Sequence, residues 1–316
     1  MMTKVWLVML LGITIGCGGG TPSDPDTGPA VVTERRVDPG TTGAGITNST
    51  GQHFIVAPAS SNRTGILLVF LPGTGGRPDF YTRIARHAAE RGHHAVGLAY
   101  PNAEAVNDLC ASAPSSTCQE EVRVEIITGA PRSSLVSVDV ANSIDNRLRA
   151  LLSWLDRTFP TEGWSAFLTN GEPRWDRVIV AGHSQGGGHA AMIARLRVVH
   201  RAVLFAATEP APWTTSSFAT SRSQLYGFVH RLEPSYAGIT ASWRLMDIVG
   251  PIATVDGASS PFAGSHQLQT NATTCRQVAV LDSYHSCIVV DVVTPLGADG
   301  QPTFGVVWSY LLDLPP

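Results

Sequence analysis

The stretch DRVIVAGHSQGGGHAAMIARL, Asp176–Leu196, constrains the fold of this chain more than any other. Arg177–Ala181 is an apolar run with the continuous hydrophobicity of a strand buried on both faces. It stops at Gly182, presents His183, Ser184 and Gln185, and restarts at once as a small-residue helix from Gly187 through Ala190, Ala191 and Ala194. A strand that becomes a helix within a few residues is a unit of a layered α/β protein.

The rest of the chain repeats that alternation without an internal sequence repeat. Strands are predicted at Gly51–Ala59, Gly65–Gly73, His93–Pro101, Trp175–Ala181, Ala202–Ala207 and Leu225–His230. Helices are predicted at Pro78–Gly92, Val138–Pro160, Gly238–Gly250 and Val306–Leu314. In the second of these, Val138, Ala141, Ile144, Leu148, Leu151 and Leu155 form one apolar stripe, and Pro160 ends it. Residues 102–137 read as an irregular insertion, while SHQLQT (265–270) and RQVAV (276–280) are ambiguous. The expectation is one α/β domain over 37–316, a mostly parallel sheet with helices on both faces. With 43% apolar and 15% charged residues, 316 residues can fill such a core, and a net charge of −3 gives no reason to expect a nucleic-acid partner.

The N-terminus reads as a leader. Lys4 precedes the short apolar run Val5–Ile15, too short to span a membrane and suited to a secretory signal. TIGC (14–17) resembles a bacterial lipobox, which implies cleavage before Cys17, a lipid on that cysteine and a membrane anchor; an ordinary signal peptide predicts export as well. Residues 18–36 read as a flexible tether. Of five cysteines, removing Cys17 leaves two local pairs, Cys110 with Cys118 and Cys275 with Cys287, expected as disulfides in an oxidising compartment. No His/Cys cluster has zinc-finger spacing, and no metal or organic cofactor is implied. Asn-x-Thr matches at Asn48, Asn62 and Asn271 carry meaning only in a eukaryotic secretory route.

Gly182-His183-Ser184-Gln185-Gly186 matches G-x-S-x-G between a strand and a helix, and from Gly51 onward the element order resembles the α/β-hydrolase superfamily of esterases and lipases. The resemblance implies an α/β-hydrolase fold and a serine hydrolase cleaving small-molecule or lipid esters through an acyl-enzyme on Ser184. Its chain order of nucleophile, acid and base points to His285, in LDSYHSCIVVD, as the base, with His266 and His230 as alternatives. Glu233, three residues past the Leu225–His230 strand, is the candidate acid, with Asp256 as runner-up; Asp247 lies on a predicted helix, and Asp282 is only three residues from His285. FLPGTGG (70–76) resembles the family's glycine loop, so the N–H groups of Thr74 and Gln185 are the expected oxyanion hole. Trp213 is a candidate for the wall of a substrate cleft or a packing tryptophan. The short Thr208–Gln224 connection has no room for a large lid. Peptidase, thioesterase or polyester depolymerase chemistry, or a silent binding domain, would fit the same fold.

Overall fold

Successive residues of a strand face opposite sides of a sheet. A strand with every residue buried is therefore covered on both faces, and this is what the computed structural model, which describes residues 32–47, 50–113, 115–207, 210–279 and 282–315, has at its centre. In chain order the main-sheet strands are β1 (Thr33–Val37), β2 (His53–Ala57), β3 (Leu67–Leu71), β4 (His94–Gly97), β5 (Val178–His183), β6 (Arg201–Phe205), β7 (Leu225–His230), β8 (Ala253–Thr254) and β9 (Gln267–Thr270). Their spatial order is β1-β2-β4-β3-β5-β6-β7-β9-β8. β1 and β2 pair antiparallel, as do β2 and β4; every other pairing in the sheet is parallel. β3, β5, β6 and β7 are buried along their whole length.

Seven helices matter for the site: α1 (Thr82–Glu90), α2 (Cys118–Thr128), α3 (Ile144–Thr158), α4 (Gln185–Leu196), α5 (Tyr236–Leu245), the single turn α6 (Ser283–Ser286) and α7 (Gly305–Leu311). α1 packs with α7, and α2 packs with α3 and α4, so the helices form separate groups against the sheet. From β3 the chain crosses to β4 on one side and later reaches β5 on the other. This reversal leaves a crevice outside the carboxyl ends of β3 and β5, where open α/β sheets take ligands. The loops entering that crevice are Pro72–Gly76 and the turn at Ser184.

Three sequence expectations change. The end expected for the tether, residue 36, falls inside the fold, because Thr33–Val37 is an edge strand. Its polar residues hid it: Arg35 forms a two-pronged pair with Glu162 at 2.5 and 3.0 Å, and Glu34 pairs with Arg86. The helix predicted from Val138 starts at Ile144, where the Ser143 hydroxyl caps the Asn146 N–H at 3.2 Å. The 102–137 insertion contains α2 and a shorter turn at Val106–Cys110 joined to it by the Cys110–Cys118 disulfide. Of the two ambiguous segments, Gln267–Thr270 is a strand and 276–279 is not. The leader, Cys17, most of the tether and Asn48 lie outside the described residues. No described helix is long and apolar enough to cross a membrane.

Candidate active site

Gly182 is the last residue but one of β5 and Gly186 the second of α4, and the chain between them turns too tightly for side chains at either position. A Cβ on Gly182 would fall on the backbone of Gly186, and one on Gly186 on the carbonyl of Leu71. Between the two, Ser184 sits at φ 54°, ψ −122°, a conformation that is costly for any residue with a Cβ. Its N–H donates to the Phe205 carbonyl at 2.9 Å, and its carbonyl accepts from Gly188 at 3.2 Å. The strained residue is thus pinned from both sides and set at the N-terminus of α4, where the helix dipole favours negative charge.

His285 approaches from the far end of the chain. Asp282 caps α6, accepting the N–H groups of Tyr284 and His285, each at 3.1 Å. The Cys275–Cys287 disulfide closes the loop around it, with Cα atoms 5.5 Å apart. Glu233 lies just beyond β7, its N–H bonded to the His230 carbonyl at 3.1 Å, and its side chain is almost fully buried. Its Oε1 accepts from Nδ1 of His285 at 3.0 Å. With the proton held on Nδ1 by the carboxylate, Nε2 is the nitrogen with a lone pair. The His285 ring packs 4.6 Å, centroid to centroid, from that of His183, the neighbour of Ser184. Ser184 and His285 share the lining of two cavities, and Glu233 lines the smaller one with them.

The glycine loop leaves one N–H over. Gly73 donates to the Tyr81 hydroxyl at 3.2 Å, Gly75 to the Asn102 carbonyl at 2.8 Å and Gly76 to the Gly73 carbonyl at 2.9 Å. Among the described residues no acceptor takes the N–H of Thr74, nor that of Gln185 in the first turn of α4. Asn102 braces the loop through Nδ2, which donates to the carbonyls of Gly73 and Gly76 at 2.6 and 2.9 Å. The Thr74 hydroxyl donates to Gln185 Oε1 at 3.2 Å, joining the two candidate donors' residues. Two unclaimed N–H groups beside a serine are able to hold an oxygen that gains negative charge.

A hydrogen-bond chain that the sequence did not foretell ties these parts together. Gly73 N–H donates to the Tyr81 oxygen, and Tyr81 O–H donates to His183 Nδ1 at 3.1 Å. His183 Nε2–H then donates to the His285 carbonyl at 3.0 Å. The direction is fixed. Burial, with the nearby His285 adding to it, pushes His183 down to about 3, so the ring is neutral, and burial raises Tyr81, which keeps its proton. The residue before Ser184 therefore connects the glycine loop to the loop carrying His285. Its position inside the motif was visible; its partners, 102 residues away on either side, were not.

The other candidates lie elsewhere. His266 stacks on Tyr226 with ring centroids 3.8 Å apart, and burial lowers its pKa. His230 has both nitrogens engaged, Nε2 with the Ala272 carbonyl at 2.9 Å and Nδ1 with the Leu232 N–H at 3.0 Å, and it stacks on Tyr284. Asp256 accepts from the Thr270 hydroxyl at 2.6 Å and from Asn271 N–H at 2.7 Å, bracing a loop outside the crevice. Asp247 follows α5 at φ 50° and lines neither of the two cavities. Trp213 is 2% exposed, packs beside Phe218 and lines neither cavity, so the packing alternative describes it. The group His230, Cys275 and Cys287 has metal-ligand residue types, but both sulfurs are in the disulfide and both imidazole nitrogens are taken. Compared with protein-family models and with curated proteins, the chain matches none.

Proposed function

We propose that this chain is an exported serine hydrolase of the α/β-hydrolase type that cleaves carboxylic esters. The observation that carries the reading is the meeting of a serine held at φ 54° with an imidazole whose Nδ1 is bonded to a buried carboxylate, from segments about 50 and 100 residues apart. Such a combination has little structural purpose, since a strained backbone at a cavity costs stability.

The chemistry follows from the groups. Ser184 Oγ attacks the ester carbonyl carbon while His285 Nε2 takes its proton, and Glu233 stabilises the imidazolium. The carbonyl oxygen becomes an oxyanion facing the N–H groups of Thr74 and Gln185. Collapse breaks the bond to the alcohol oxygen, which receives the proton from His285. Water, deprotonated by the same imidazole, then adds to the acyl-enzyme and releases the acid and Ser184. The two disulfides support export, because such bonds persist in oxidising compartments. The lipid anchor on Cys17 remains part of the proposal.

The test is hydrolysis of short p-nitrophenyl esters, thioesters and peptide amides by the wild type, Ser184→Ala, His285→Ala and His266→Ala. Ester turnover in the wild type should fall by about 10⁴-fold or more in the first two variants and survive in His266→Ala. Full activity in His285→Ala, or faster cleavage of amides than of esters, contradicts the reading.

A further inference from the structure

An ester has two arms, and the crevice offers each a different space. On one side of Ser184 lies a cavity of about 130 Å³ with a polar wall that includes Thr74, Asn107, Arg123, Gln185 and Ser235. On the other lies a trough of about 750 Å³ whose apolar surface comes from Phe80, Tyr81, Val278, Val290 and Val292. Ser184 and His285 belong to both. We propose that the natural substrates are esters of short acyl groups with long or bulky apolar alcohols, the acyl arm in the small cavity and the alcohol arm in the trough. This rests on the hydrolase reading above and adds the substrate class to it.

Size sets the first limit. A cavity of roughly 150 Å³ holds one benzene molecule, so the small side has room for about five heavy atoms. The trough falls within the range of roughly 300–1,000 Å³ that buries a drug-sized ligand. Chemistry sets the second. The small side carries the Arg123 guanidinium, whose Nη1 donates to the Gln185 carbonyl at 3.2 Å, and hydroxyls able to meet a polar substituent. The acids of the trough are engaged: Asp282 caps α6, Asp291 accepts from Thr82 and Arg83 at the start of α1, and Asp79 pairs with Arg77. They leave an apolar wall and disfavour an anionic arm. Phe80 and Val292, 40% and 47% exposed, carry that apolar surface out to the mouth.

Proton transfer sets the orientation. The leaving oxygen must be the one that His285 protonates, so the alcohol runs along the wall that carries the imidazole. Val278, Asp282, Ser286, Val290 and Val292 flank His285 in sequence, and all line the trough. The small cavity also touches His285 and Glu233, but the rest of its wall comes from other segments: Gln185, whose N–H is unclaimed, and Val106 and Asn107, held through the Val106 N–H bond to Gln185 Oε1 at 2.9 Å.

The experiment compares kcat/KM for ethyl acetate, hexyl acetate, ethyl hexanoate and hexyl hexanoate. Each buried methylene is worth roughly fourfold, so hexyl acetate should exceed ethyl acetate by at least about tenfold and should also exceed both hexanoates. Val292→Asp, at the exposed mouth, should reduce the hexyl-to-ethyl ratio among acetates several-fold. Faster turnover of ethyl hexanoate than of hexyl acetate, or four nearly equal rates, overturns the proposal. If none of the four turns over while a fluorophosphonate still labels Ser184, the substrate class alone is wrong. If Ser184 is also inert to the probe, the hydrolase reading fails and takes this one with it.

Discussion

Ser184 and His285 meet in one crevice but are held there by opposite means. Ser184 is held by its own backbone: a buried strand before it, a helix after it, and two glycines without which the turn cannot close. His285 sits on a helix of four residues, held by contacts from elsewhere in the chain. These are the Glu233 carboxylate, the His183 imidazole, the disulfide and the Trp308 indole, which donates to the Ile288 carbonyl at 3.0 Å. The shelf under Ser184 is part of the core and should fail only when the fold fails. The loop of His285 is a borrowed assembly and should fail by itself.

Acid should break the fold as a whole, and the turn at Ser184 with it, and produce the largest effect. His53 and His183 are pushed down to about 3 by burial, His87, His93 and His94 to about 4, and His189 well below its usual value. In the unfolded chain each protonates near 6.5. Between those values the unfolded state binds protons that the folded state refuses, so the stability is whole above pH 6.5 and is lost as pH falls toward 4. Each such group adds up to about 1.4 kcal/mol of destabilisation per pH unit in that window, so together they should make stability fall steeply between pH 6.5 and 5. Denaturant titrations at a series of pH values check this; a flat profile would mean the imidazoles charge in place.

Gly186→Ala should come next. The added methyl group meets the Leu71 backbone, which cannot move aside, and overpacking of that kind costs typically 1–3 kcal/mol, occasionally more. Thermal unfolding should drop by several degrees, with activity and fold lost together. The double variant Cys275→Ser/Cys287→Ser sharpens the contrast. Its loop closure is worth up to about 3 kcal/mol, yet the effect should be local: kcat down about tenfold or more with the cooperative unfolding of the sheet retained. Equal loss of fold in both variants would erase the distinction between shelf and loop. Tyr81→Phe should have the smallest effect. It removes the middle of the chain from Gly73 to His183, and one hydrogen bond is worth roughly 0.5–1.5 kcal/mol. A positioning role predicts a fall in kcat with KM little changed; a shift in Tm alone would make the contact merely structural.

The same contrast explains what was legible in the sequence. Every feature of the turn at Ser184 is local: apolar run, glycine, polar triplet, glycine, small-residue helix. The central strands and the α/β class were legible for that reason, since hydrophobic periodicity acts within a few residues. β1 was missed because its side chains find charged partners more than 50 residues away, Arg86 and Glu162. Helix α2 was missed because its apolar residues form no clear stripe, with Arg123 and Glu125 buried among them. Glu125 is satisfied by the N–H groups of Arg132, Ser133 and Val138. His285 and Glu233 could be placed in the right neighbourhoods by chain order, but their 3.0 Å contact depends on a sheet folded between them. Trp213 fell near the right edge of the sheet and turned inward.

The most direct measurement is the site and rate of labelling by a fluorophosphonate, read by peptide mass spectrometry on wild type and His285→Ala. The predicted result is a single adduct on Ser184, formed at least about 10³-fold more slowly without the imidazole. An adduct on another serine, or a labelling rate indifferent to His285, would contradict a nucleophile activated across these two regions.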